Sequence, residues 1–301
     1  MGIIEIADLT KDYSHGRGVF HVSFEVKEGE CVGFLGPNGA GKSTTIRHLM
    51  GFAKPDSGSA MLFGKEARKA RGVLEKVGYI PGEVSLPKNL TGREFLSIQL
   101  ALRKRKANTI AELSDLFRID LDERTRDMSL GTKRKVAILA ALLSSPEVYI
   151  LDEPSSGLDP SMQSLFLDII QKEKEKGRTM LFSSHVFSEV ERVSDRIVVI
   201  KDGKIAATIP KEVIARGGQV RYELSFSSLE SFHSAQNRKE YCPLFVDEER
   251  RLLSYSPENG RIADFLAFVS SLPVDSFHAR RETLREIFLS YYQEDKEYTG
   301  L

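Results

Sequence analysis

The sequence predicts an α/β fold with a mostly parallel core sheet followed by a small α+β domain, and three observations carry that prediction. Short apolar runs of strand length at Cys31–Leu35, Val148–Leu151 and Thr179–Phe182 read as buried strands separated by helical segments. From about Leu90 to Leu143 the apolar spacing turns helical and reads as an insert. Past Arg216-Gly217-Gly218 the pattern changes again, to alternating runs mixed with short helices. The expected division is therefore 1–216, with a helical subdomain at about 84–145, and 217–301.

In chain order, Ile4–Leu9 and Val22–Val26 alternate as strands of a small antiparallel sheet do. Cys31–Leu35 leads into Gly36-Pro37-Asn38-Gly39-Ala40-Gly41-Lys42-Ser43-Thr44, and Thr44–Met50 reads as a helix stopped by Gly51. The turn Pro55-Asp56-Ser57-Gly58 opens a strand at Ser59–Phe63, and Val77–Ile80 is another, closed by Pro81-Gly82. Thr91-Gly92-Arg93-Glu94 and Thr109-Ile110-Ala111-Glu112 both have the spacing of a capping box. Arg196–Ile200 and Lys204–Ala207 form a hairpin through Lys201-Asp202-Gly203. Beyond the boundary, strands are predicted at Val220–Phe226, Tyr241–Val246, Leu252–Tyr255 and Val274–Phe277. Helices are predicted at Ser228–Ala235, Ile262–Ser270 and Glu282–Tyr292.

Composition narrows the function classes. At 301 residues there is room for two cores. The 43 basic and 43 acidic side chains cancel, so no overall field draws in nucleic acid or an anionic membrane. The longest apolar run, Val136–Leu143, falls far short of the ~20 residues of a spanning helix. Met1–Ile6 lacks the basic start and cleavage site of a signal peptide, which predicts a cytoplasmic protein. Cys31 sits in a buried run and Cys242 has no metal-like spacing, so both read as reduced thiols. His15, His21, His48, His233 and His278 show no ligand spacing either. The basic run Arg103–Lys106 ends a helix, where cations suit the dipole and solvent.

The stretch from Gly36 to Thr44 fits G-x-x-x-x-G-K-[ST], and it lies between a strand and a helix as a phosphate-cradling loop must. Glycines let successive N–H groups converge on phosphate oxygens at a helix N-terminus, whose partial positive charge favours the anion. Lys42 would reach the β and γ phosphates, and Ser43 would offer a hydroxyl to Mg2+. Far downstream, Val148–Leu151 delivers Asp152 and Glu153 to the carboxyl edge of the sheet. There Asp152 would hold the Mg2+ shell through water, and Glu153 would orient or deprotonate the attacking water.

Three further motifs carry a family resemblance. Met128-Ser129-Leu130-Gly131-Thr132 resembles the Leu-Ser-Gly-Gly-Gln signature of ATP-binding cassette proteins, Pro154-Ser155-Ser156-Gly157-Leu158-Asp159-Pro160 resembles their D-loop, and Ser183-Ser184-His185 closes a strand where they keep a switch histidine. Residues 1 to about 215 thus resemble an ABC ATPase, a P-loop NTPase with an N-terminal antiparallel β subdomain and a helical insert. The resemblance implies that Tyr13 stacks on adenine and that Ser129, Gly131 and Thr132 belong to the signature, with Ser129 and Gly131 touching the γ-phosphate bound by an opposing subunit. It further implies that Asp159 bridges the dimer and that His185 touches the γ-phosphate and holds Glu153 and the water in line.

The departures are informative too. Met128, Leu130 and Thr132 replace Leu, Gly and Gln of the signature, so fewer phosphate contacts are expected. In Tyr79-Ile80-Pro81-Gly82-Glu83 the family expects a glutamine near position 82 that meets Mg2+ and couples to the membrane subunit. Gly82 has no side chain for that role, which leaves two expectations: Glu83 takes it, or it is lost and coupling is weaker.

With one signature and one phosphate loop, neither site is complete alone. The resemblance therefore implies a head-to-tail dimer, homomeric or with a related cassette, that closes on two ATP molecules with Mg2+. It would power separate polytopic permease subunits from the cytoplasmic face of the membrane. Leu284–Tyr292 resembles the tail helix of cassettes serving exporter-like, ABC-2-like permeases, which favours export. The alternatives are a soluble cassette acting in translation or DNA repair and a weakly hydrolysing regulatory cassette. The single cassette without a long coiled coil argues against the first, and Lys42, Asp152, Glu153 and His185 argue against the second.

Overall fold

In the computed structural model the described residues are 2–103, 110–143, 145–210, 212–213, 220–238, 240–257, 261–283 and 286. The chain divides into two compact units, Met1–Lys211 and Glu212–Leu301. The break thus precedes the glycine pair at which the sequence suggests it.

The first unit is built on a six-stranded sheet of order β10-β9-β3-β8-β7-β6. Its strands are β3 (Cys31–Leu35), β6 (Val77–Ile80), β7 (Val148–Asp152), β8 (Thr179–Ser184), β9 (Arg196–Lys201) and β10 (Lys204–Pro210). All neighbours are parallel except the β9–β10 hairpin. Every residue of β3, β7 and β8 is buried. That is the reason these strands read as continuous apolar runs: a parallel strand covered on both faces has no solvent side to mark with polar residues.

A second sheet, of order β2-β1-β4-β5, is antiparallel and comprises β1 (Ile4–Asp12), β2 (Gly18–Val26), β4 (Ser57–Leu62) and β5 (Lys65–Glu66). Its strands run past the sequence expectation. β1 continues to Asp12 because register shifts beyond Ile6, with Asp8 at φ +50, reset the alternation that otherwise stops at Leu9. The inward residues Ile4, Leu9, Val22 and Leu62 share one core with Phe34, Ile150 and Leu181 of the parallel sheet and with Ile46 and Leu49 of α1 (Lys42–Leu49).

The insert holds α2 (Gly92–Leu102), α3 (Ile110–Phe117) and α4 (Leu130–Leu143). The capping box at Thr91 is formed, with Glu94 N–H donating to Thr91 Oγ1 and Glu94 Oε2 accepting from Thr91 N–H. The second one begins at Thr109, outside the described residues, as do residues 104–106 of the basic run. Helices α5 (Pro160–Glu175) and α6 (Phe187–Val193) complete the unit.

The second unit runs β11 (Val220–Ser225), α7 (Leu229–Gln236), β12 (Phe245–Asp247), β13 (Leu252–Tyr255), α8 (Ile262–Ser270) and β14 (Ser276–Arg281). With sheet order β12-β13-β11-β14 and antiparallel neighbours throughout, it is a βαββαβ unit of the ferredoxin-like kind. Tyr222, Leu224, Leu253 and Tyr255 face Phe232 of α7 and Phe265 and Phe268 of α8.

Two strands here differ from the sequence expectation. The run at Tyr241–Val246 is strand only from Phe245, because Tyr241 turns its ring onto Phe265 and Phe268, with centroids 5.2 and 5.0 Å away. The last strand starts at Ser276 rather than Val274 and continues to Arg281. Its outer half is polar, and Arg280 pairs with Glu223 of the neighbouring strand at 2.7 Å. The expected helix at Glu282–Tyr292 lies largely outside the described residues.

Candidate functional site

The loop between β3 and α1 is shaped by glycines at close quarters. A Cβ on Gly36 would come within 2.4 Å of the Ile200 carbonyl oxygen, and one on Gly41, at φ +108, within 2.7 Å of Val19 Cγ1. Neither position accepts a side chain, so the β9 end and the β2 start seat the loop directly. The β9–β10 turn braces it from outside, with Gly203 N–H donating to the Ala40 carbonyl at 3.0 Å. Helix α1 opens with no capping side chain and no acid in its first turn. Its free N–H groups therefore border a cleft lined by Asn38, Gly39, Gly41, Lys42, Ser43, Thr44 and Glu153. An uncapped helix start in a glycine cradle beside a buried lysine fits a polyphosphate.

Lys42 is 4% exposed. Its ammonium donates to the carbonyls of Gly36 at 2.6 Å and Pro37 at 3.1 Å, and lies 3.0 Å from Glu153 Oε1. That last contact is an ion pair without hydrogen-bond geometry, so Glu153 Oε1 is buried with no hydrogen-bond partner among the described residues. The other carboxylate oxygen, Oε2, lies 2.8 Å from Nδ1 of His185, whose side chain is 46% exposed. Glu153 itself has φ +46, a left-handed conformation that is strained for a residue with a side chain.

Ser183 holds that conformation. Its carbonyl and its hydroxyl both accept from Glu153 N–H, at 3.2 and 3.1 Å, while its hydroxyl donates to Asp152 Oδ1 at 2.7 Å. One serine on β8 thus orients both acids at the end of β7. In the sequence Ser183 stands two places before His185, and the parallel pairing of Asp152 with Ser183 is what gives it a role.

A point near Gly82 defines where a cation fits. A Cβ there would lie 2.9 Å from Asp152 Oδ2 and 3.6 Å from Ser43 Oγ, so both oxygens face one spot. One carboxylate and one hydroxyl suit Mg2+, which keeps several waters and takes few protein ligands. Glu83 is exposed, and no hydrogen bond or ion pair holds it there among the described residues. Tyr79, one strand from the acids, has its hydroxyl pushed up to about 12, mainly by burial and then by the Asp152 charge, against a smaller lowering by Arg47.

The signature residues form a second group. Ser129 caps α4, its Oγ accepting from Thr132 N–H at 3.1 Å and lying 2.9 Å from Thr132 Oγ1. A Cβ on Gly131 would sit 3.0 Å from the Gly157 carbonyl oxygen, so the candidate signature lies against the candidate D-loop. Leu130, beside it, is 79% exposed. Asp159 caps α5 by accepting from Met162 N–H at 3.0 Å and from Ser161 Oγ at 2.6 Å, and those bonds, the serine's first, hold its carboxyl below the ordinary range. Among the described residues no hydrogen bond or ion pair joins this group to the phosphate loop. Tyr13, 52% exposed, stands in the turn between β1 and β2, with Lys11 Nζ 5.6 Å from its ring centre.

Two residues have roles that the sequence motifs do not mark: Ser183, and Arg134, whose buried guanidinium donates to the Pro81 and Gly82 carbonyls. Arg134 carried a legible signal, since it shares the buried i, i+4 stripe of Ile138 and Leu142 on α4.

The family model described as ABC transporter matches residues 19–156. The chain is 38% identical over 232 residues to the bacitracin transport ATP-binding protein BcrA of Bacillus licheniformis, covering 75% of each. It is 36% identical to the Nod factor export ATP-binding protein I of Burkholderia orbicola, covering 70% of this chain and 72% of that protein. Among solved structures, an ATP-binding subunit of an ABC transporter superposes with a TM-score of 0.64 at 32% identity, over 71% of this chain and 92% of that one. The chain belongs to the family of ABC transporter ATP-binding proteins.

Proposed function

We propose that this chain is the ATP-hydrolysing subunit of an exporter, working as a head-to-tail dimer beneath separate membrane subunits. One observation carries the catalytic part: Lys42, Glu153 and His185 form a continuous chain of contacts across the phosphate loop and the ends of β7 and β8. In this reading the α1 N–H groups and Lys42 bind the β and γ phosphates, and Ser43 and Asp152 hold Mg2+. Mg2+ held there would supply charge neutralisation to the phosphates. His185 fixes one carboxylate oxygen of Glu153, and the other, which lacks a hydrogen bond, takes the proton of the attacking water. Tyr13 stacks on the base.

The dimer follows from the separation of the two groups. Ser129, Gly131 and Thr132, with Leu130 exposed between them, lie ready to cover the phosphates of a second subunit, and Asp159 stands at that boundary. Among the described residues no helix is long and apolar enough to cross a membrane, so translocation falls to other chains. An apolar groove bordered by Phe52, Tyr79, Leu86, Phe95 and Ala137 runs to Pro81. Phe52 is 64% exposed, with its ring edge-on to Tyr79 at 5.8 Å. The groove ends at the segment that meets the acids, which suits a short cytoplasmic helix of a membrane subunit. One relative is named for bacitracin transport and another for Nod factor export, and this chain is read as serving export.

Affinity purification of the tagged chain from detergent-solubilised membranes tests this. Recovery with a polytopic protein that stimulates ATP hydrolysis is the expected result. Recovery with ribosomes or DNA, and without such a protein, overturns the transporter reading.

A further inference from the structure

Beside the acids lies a cation that the proposed function does not use. Arg134 is buried on α4, with Nη1 donating to the Pro81 carbonyl at 2.5 Å and Nη2 to the Gly82 carbonyl at 2.6 Å. A buried guanidinium needs acceptors, and these are main-chain dipoles rather than a carboxylate. The carboxylates whose charge it feels are Asp152 and Glu153, which oppose the lowering of its pKa by burial. The segment it grips is the one with no side chain at position 82. A Cβ there would start 2.9 Å from Asp152 Oδ2, so any side chain at this position would make the acid or the main chain shift.

We propose that Arg134 is a positioning residue for the metal site: its two bonds hold the Pro81-Gly82 main chain against Ser43 and Asp152, replacing a side chain reaching in from position 82. The proposal rests on the reading that Ser43 and Asp152 hold Mg2+. It has a consequence for coupling, because α4 begins with the signature residues. The helix that faces the partner's phosphates in the proposed dimer is then also the helix that sets this chain's own metal site.

The test is a Mg2+ titration of ATP hydrolysis by the full-length chain, with binding of trinitrophenyl-ATP measured in EDTA as a second readout. For Arg134→Gln the Mg2+ concentration at half-maximal rate rises about tenfold, as losses of residues that orient metal ligands typically do, while nucleotide binding without metal stays within twofold of the parent. Arg134→Lys, which can hold one carbonyl but not both, shifts the midpoint in the same direction by less. An unchanged midpoint in either folded variant overturns the proposal, and so does equal loss of binding with and without Mg2+. Ser43→Ala separates the two layers of argument. If it leaves the Mg2+ midpoint unmoved, the metal reading itself fails. If it moves the midpoint and the Arg134 variants do not, only the positioning role fails.

Discussion

The two halves of the proposed site are built in opposite ways. Around the candidate phosphate loop the polar and ionisable groups are mutually engaged: Lys42 meets Glu153, Glu153 meets His185, and Asp152 meets Ser183. Around the signature, Ser129 and Asp159 serve their own helix starts, Gly131 keeps the turn close to Gly157, and Leu130 stands in solvent. The first half is pre-organised within one chain, at the cost of a strained Glu153 backbone. The second is held by its own helix starts and turn, and among the described residues no hydrogen bond or ion pair joins it to the first, as expected of a group that acts on a second subunit. The difference teaches where each kind of substitution should be felt: chemistry in the first half, assembly in the second.

The sharpest way to break this comparison is Glu153→Gln. The amide keeps the size and the neighbours but does not accept the water's proton, so turnover falls by about a thousandfold while ATP remains bound. Size-exclusion chromatography with ATP should then show an accumulated dimer. Turnover at the parental rate would remove Glu153 from its assigned role.

A smaller effect is expected in the second half. Gly131→Val forces a branched side chain into a position where even a Cβ meets the Gly157 carbonyl at 3.0 Å. The signature and the D-loop must separate, so hydrolysis drops about a hundredfold, the scale of losing one pre-organised donor to the phosphates. Binding of trinitrophenyl-ATP to the isolated subunit should change less than twofold. If binding falls with turnover, the two halves are not separable as described.

The smallest effect sharpens the claim that the phosphate loop rests on a sealed sheet. Cys31, on the strand leading into it, is fully buried, and burial pushes its thiol up to about 12. A raised pKa keeps the protonated, unreactive form at every pH below that value, so at pH 8 only about one molecule in ten thousand carries the thiolate. Cys242 is exposed. Alkylation of the native chain at pH 8 should therefore modify Cys242 alone with ATPase activity retained, and both cysteines in denaturant. Rapid labelling of Cys31 would show that β3 opens.

Much of the architecture is legible in the residues because its causes are local. A buried parallel strand writes itself as an unbroken apolar run, a capping box as Thr91 and Glu94 three apart, and a hairpin as Asp202-Gly203 between strands. The candidate phosphate loop is legible through its local G-x-x-x-x-G-K-[ST] spacing, although the groups that crowd Gly36 and Gly41 are Ile200 and Val19, distant in the chain. Strand ends were less legible. β1 outlasts its alternation through a bulge, and β14 carries charged residues on its open face, so apolar periodicity alone stopped short of Asp12 and started too early at Val274.

The order of most elements, the candidate phosphate loop and the paired acids are legible in the residues alone, since each depends on residues adjacent in the chain and on their intrinsic chemistry. Only the tertiary structure decided what those residues touch. Parallel pairing of β7 with β8 brings Ser183 to Asp152 and Glu153 across 31 and 30 positions of chain. The packing of α4 brings Arg134 to Gly82 across 52. Hydrogen bonds act over about 3 Å whatever the separation along the chain, so partners of this kind carry no local pattern and exist only once the sheet and the helix have closed on one another.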